Sequence, residues 1–158
     1  MVMTRKSKFI ALIAARCITA LSTTSLPAQR QNDEELLRAR ESIWRSWFAG
    51  DTRTRQALVP PETIVMSGGE KEWKHPSDVL RSSVEFHSKG GRLIRLEFPR
   101  TEVQHFGDVA VVWSSSVVKT EVDGKRSLGS SRATEIFVRQ QGQWTDPGWH
   151  TDEGKRVT

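Results

Sequence analysis

Apolar residues recur at helical spacing near the start of the chain and at strand spacing in its last third. Leu36, Leu37, Ile43, Trp44, Trp47 and Phe48 form one stripe of a helix from Glu34 to Asp51, with Arg38, Arg40, Glu41 and Arg45 toward water. Asp33 is placed to cap it, Gln29–Asn32 reads as a polar linker, and Gly50 suits its end. Asp51–Leu58 predicts a second short helix, stopped by Pro60-Pro61. Glu62–Ser67 predicts a short strand, and Pro76 opens a helix that runs to about Lys89. Four strands follow, over about 92–106, 109–122, 130–140 and 144–151. Gly107-Asp108, Asp123-Gly124 and Gln141-Gly142 join them as hairpin turns. Pro99 marks a bulge or an edge in the first of these strands, and the tail from Gly154 is polar and loose.

Helix, helix, strand, helix and an antiparallel meander make an α+β domain, a curved antiparallel sheet covered on one face by N-terminal helices. A bent sheet with such a lid leaves a concave hollow, a common seat for small molecules. The length of 158 residues fits one such domain, here 33–152, with a flexible tail over 153–158.

Charge sharpens the picture at one end. Four of the cations behind the net charge of +5 (Arg5, Lys6, Lys8 and Arg16) lie in the first 28 residues, which carry no acid. The rest of the chain is close to neutral, without the one-sided positive field that nucleic-acid binding needs. The leader itself has a cationic start, an apolar run over Phe9–Leu21 broken by Arg16, and Ala28 at a cleavable small-residue site. It reads as a signal peptide over 1–28, placing the protein in the periplasm or outside the cell. The apolar run is too short for a stable membrane span. The one cysteine, Cys17, falls inside this leader, so the body has no disulfide, thiolate or cysteine-bound zinc chemistry.

Three stretches resemble a known group. Trp47-Phe48-Ala49-Gly50-Asp51 is similar to its first-helix ending. Thr134 to Trp144, with Gly142 two before the Trp, resembles its strand–turn–strand segment. His150 stands six after Trp144, where many relatives carry a histidine. On these the chain is identified as resembling the NTF2-like superfamily, in the SnoaL-like/DUF4440 group, over roughly Asp33–Asp152. The resemblance implies a cone-shaped fold, small-molecule pockets in many members and frequent homodimers. It does not choose a reaction, because the superfamily holds isomerases, cyclases, dehydratases, epoxide hydrolases and association domains alike. The isomerases resemble one another in a first-helix tyrosine, whereas this chain has no tyrosine and Ile43 stands near that place. Their catalytic aspartate falls near Ser67, which is no comparable base. The epoxide-hydrolase arrangement of Asp, Arg and Asp has no clear counterpart.

The candidate residues follow. His150, beside Trp149, is either a general acid/base near neutral pH or a structural histidine. Glu135 and Arg132 differ by an odd number along one strand and so face opposite sides. Relatives with polar pockets carry a charge near Glu135, which makes it the pocket candidate. The alternative is a solvated or dimer-face ion pair. Trp44, Trp47, Trp113, Trp149 and Phe86 are candidate ligand-binding aromatics, against an ordinary core role for each. The resemblance makes Trp144 structural. His75, His87 and His105 are scattered without metal-ligand spacing, so no metal and no cofactor is expected. Arg53, Arg55, Arg92, Arg95 and Arg100 read as a solvated rim, and Ser114-Ser115-Ser116 as polar strand surface. Three functions fit: an exported binding protein for a hydrophobic or aromatic small molecule, a lyase, isomerase or hydrolase using His150 with Glu135, and a dimeric association module.

Overall fold

The computed structural model describes residues 26–157, so the signal-peptide reading of 1–28 lies almost wholly outside the described residues. Three helices, α1 (Leu26–Ala49), α2 (Thr52–Leu58) and α3 (Pro76–Ser88), lie against a curved five-stranded sheet. Its strands are β1 (Ile64–Ser67), β2 (Arg92–Phe106), β3 (Val109–Val122), β4 (Lys125–Gln140) and β5 (Gln143–Val157), in spatial order β1-β5-β4-β3-β2. The four long strands form the expected antiparallel meander. β1 joins it in parallel against β5, with Val65 beside Trp149, so the sheet is mixed. Among the described residues no helix is long and apolar enough to cross a membrane.

The turns explain the meander. Asp123 and Gly124 have φ of 51° and 72°, and Gln141 and Gly142 have 52° and 82°. Two successive left-handed residues give the turn whose twist matches that of paired strands. Pro99 sits where β2, an edge strand, slips register between Glu97 and Arg100; there its missing N–H costs the ladder nothing.

Three boundaries differ from the sequence reading. α1 starts at Leu26, so Gln29–Asn32 is helix rather than linker and Asp33 is not its cap. The sheet holds this polar end in place. Arg139 donates to Asn32 Oδ1 at 2.6 Å and to Glu35 Oε2 at 3.1 Å, while His105 Nε2 lies 2.6 Å from Asp33 Oδ1. β4 begins at Lys125, and β5 continues to Val157 by pairing with it, so 153–157, read as part of a flexible tail, are strand. In each case the local sequence is polar and pairing supplies the order: from β3 across the adjacent hairpin for the start of β4, and from partners distant in sequence for α1 and the end of β5.

The core lies between α1, α2 and the inner sheet face. Leu36, Ile43, Val59, Ala110, Val112, Phe137 and Trp144 form it. Alternation along β3 buries Ala110, Val112, Ser114 and Ser116 and turns Trp113 outward.

Candidate functional site

Strand alternation places Glu135 on the inner face of β4, between buried Ala133 and Phe137. It is 2% exposed, and the Trp44 indole N–H donates to its Oε1 at 2.7 Å. Its other oxygen, Oε2, is buried without a partner. Burial raises the carboxyl to about 7, although the Trp44 hydrogen bond and the positive charge of Arg40 pull the other way.

A second carboxyl shares the space. Asp146 is 1% exposed; its Oδ1 accepts from the Gly148 N–H at 3.0 Å, and its Oδ2 has no partner. Burial, then the neighbouring charge of Glu135, holds it well above the usual aspartate range. β5 has one extra residue at this point. Thr145 pairs with Val138, but Gly148 pairs with Ile136, which is one position out of step. The bulge at Asp146-Pro147 keeps Asp146 facing inward and then reverses the face of every later residue.

That reversal decides where two sequence-predicted residues point. Trp149 and Thr151 face the hollow, whereas His150 faces out. The His150 side chain is 44% exposed, with Nε2 3.6 Å from Asp152 Oδ1, and it does not line the cavity. The proton-carrier role considered for it therefore has no support in its position: unbroken alternation from Trp144 would have turned it inward.

Helices supply the remaining walls. Ile43, Trp44, Trp47 and Phe48 from α1, Arg55 from α2 and Val79 from α3 close a cavity of about 200 Å³ over Glu135, Asp146, Trp149 and Thr151. The Trp47 indole N–H donates to the Val79 carbonyl at 3.1 Å and fixes one wall. Phe86 stacks behind Trp47, with ring centres 5.2 Å apart, and does not reach the cavity. Trp113 is 46% exposed on the opposite face, donating to Gln104 Oε1 at 3.3 Å, so it lines no part of this hollow.

Two arginines flank the carboxyls. Arg55, read from sequence as rim, is buried; its guanidinium lies 5.5 Å from the Trp149 ring centre, its Nε is unpartnered, and its charge acts on Asp146. Arg40, read as solvent-facing, is also buried. It stacks 3.7 Å from the Phe98 ring centre, donates to Thr101 Oγ1 at 3.1 Å, and its charge acts on Glu135. The sequence held a signal for it: Leu36, Arg40, Ile43 and Trp47 share one helical face. Asp146-Pro147-Gly148 inside a strand pattern likewise signals a bulge. Arg55 had no such signal. The described residues hold no cluster of three or more His, Cys, Asp or Glu that could hold a metal ion.

This cone, with its pocket under the helices, is the architecture of a known family. The family model of the SnoaL-like domain matches residues 45–150. The chain belongs to that family. The SnoaL-like domain here also has the fold of many solved NTF2-like structures. An NTF2-like protein from Cytophaga hutchinsonii is 13% identical, with 78% of this chain and 98% of that one covered at a TM-score of 0.66. A ketosteroid isomerase-like protein from Erwinia carotovora atroseptica is 14% identical, over 76% of this chain and 94% of that one, at 0.60. A CaMKII hub from S. rosetta is 16% identical, over 77% and 95%, at 0.60. At such identities the likeness concerns fold alone. No curated protein matches the chain.

Proposed function

We propose that this SnoaL-like domain binds a small, largely apolar molecule and transfers protons to and from it, as an isomerase or dehydratase does. One observation carries the reading: two carboxyls, each almost fully buried and each with a free oxygen, line the same apolar cavity. An apolar cavity of about 150 Å³ accommodates benzene, so the guest's buried part is ring-sized. Glu135, raised to about 7, is poised as the base that takes a proton from the guest. Asp146, raised well above its ordinary range, is the acid that gives a proton to a carbonyl or a departing hydroxyl. Arg55, on the same wall, offers positive charge to an oxygen that becomes negative.

The reaction class accords with the name of the ketosteroid isomerase-like neighbour. The groups differ from those of the isomerase route described above: Glu135 and Asp146 carry the proton, and Ile43 and Ser67 supply no acid or base. Carbon-13 NMR titration of the Glu135 carboxyl tests the proposal: a midpoint near 7 is expected, and one near 4.5 removes the base.

Two further points belong to this reading. The domain acts as a homodimer through the outer sheet face, where Trp113 and Ile136 are exposed on adjoining strands. It acts in the periplasm or outside the cell, on the strength of the leader, and N-terminal sequencing of the mature protein tests that location.

A further inference from the structure

Trp44, Trp47 and Thr151 line the inner chamber, and they also line a second, wider hollow of about 650 Å³. Ser67, Glu70, Ser130, Ser131, Gly129 and Asp152 bound that outer space. The two spaces therefore adjoin along two indoles and a hydroxyl.

Chemistry changes across this border. Inside, apolar walls end at Glu135 and Asp146. Outside, the hydroxyls of Ser67, Ser130, Ser131 and Thr151 dominate, and among the described side chains no Lys or Arg lines the space. The carboxylates there are already paired, Glu70 with Lys74 and Asp152 with Arg132. An anionic group in the outer hollow meets the two carboxylates Glu70 and Asp152, which repel it. A neutral group rich in hydroxyls meets donors, acceptors and the edges of indole rings, the setting that suits it.

We propose that the site takes a two-part molecule: a ring-sized apolar end in the chamber and an uncharged, hydroxyl-bearing head, sugar-like or polyol, in the outer hollow. The inference rests on the chamber being a small-molecule site and names the class of molecule that enters it. Because the head is covalently tied to the anchored ring, its hydrogen bonds form without a second association cost. Two or three such bonds tighten binding by about tenfold or more.

Titration calorimetry of the whole protein with phenol, phenyl β-glucoside and phenyl phosphate tests this. The glucoside should bind about tenfold tighter than phenol, and the phosphate more weakly than phenol. The variant Gly129→Phe narrows the outer hollow that Gly129 lines; among the described residues a Cβ at Gly129 meets nothing within 4 Å. In that variant the ratio of phenol to glucoside dissociation constants should fall toward one. The inference is overturned by a glucoside no tighter than phenol, by a phosphate that binds best, by an unchanged ratio in Gly129→Phe, or by binding of none of the three. Failure of the proton-transfer reading shows instead in the Glu135 titration, which needs no ligand.

Discussion

Glu135 sits in an apolar chamber with a single hydrogen bond to one of its oxygens, so its ionised form is costly. A carboxyl whose folded pKa lies above its unfolded value keeps its proton longer in the folded state. Folding then binds protons between the two values, and stability falls as pH rises from about 4.5 through about 7. The full span of that shift corresponds to about 3 kcal/mol lost by pH 8, at 1.36 kcal/mol per unit. Asp146 shifts in the same direction and adds to the trend. Thermal melts should therefore give a higher Tm near pH 5.5 than near pH 8, and Glu135→Gln should flatten much of that slope. Trp44 works against the shift, because its N–H stabilises the carboxylate. Trp44→Phe should move the Glu135 midpoint above that of the parent protein in the same NMR titration, and a lower midpoint would contradict the bond's role.

Among the elements, β5 and α1 show how the site is assembled. One extra residue in β5, at Asp146-Pro147, sets both a carboxyl and Trp149 on the same inner face. Strict alternation can present Trp144 and Asp146, or Trp149 and Thr151, but not all four. α1 brings Arg40, Trp44 and Trp47 to the carboxyls only if its polar start is pinned to the sheet. Arg139 does much of that pinning through Asn32 and Glu35. Arg139→Ala should cost about 1 kcal/mol, since the side chain is about one-third exposed and screening limits the pair. Amide exchange should quicken over Gln29–Leu36 while β3 and β4 stay protected. Uniform loss of protection would mean that the helix start and the sheet unfold as one unit.

For the whole molecule, the two sheet faces have different tasks. The inner face carries the core and the chamber. The outer face leaves Trp113 and Ile136 bare on neighbouring strands, and Val111 pairs directly with Ile136. Under the proposed dimer, Trp113 lies near the centre of the contact. Trp113→Lys should then cost about 2 kcal/mol or more of association, the scale of a buried aromatic anchor. Sedimentation velocity reads this as a shift from dimer to monomer at micromolar protein. A parent protein that sediments as a monomer removes the dimer and leaves the chamber untouched.

The order of elements, the hairpin turns, the amphipathic first helix and the family were all legible in the amino-acid chain. These depend on local periodicity and on turn residues, which act within a few positions of one another. It also carried Glu135, Trp44, Trp47 and Trp149 to the correct strand or helix, because alternation and the 3.6-residue period are local rules. That Asp146 and Arg55 join Glu135, and that His150, Trp113 and Phe86 stay outside, emerges from the packed fold alone. A one-residue bulge inverts the phase of everything after it. Asp146-Pro147-Gly148 marks a bulge locally, but its inverted phase gains meaning only against the paired strand, and burial of Arg55 or a carboxylate depends on what a distant helix lays over it.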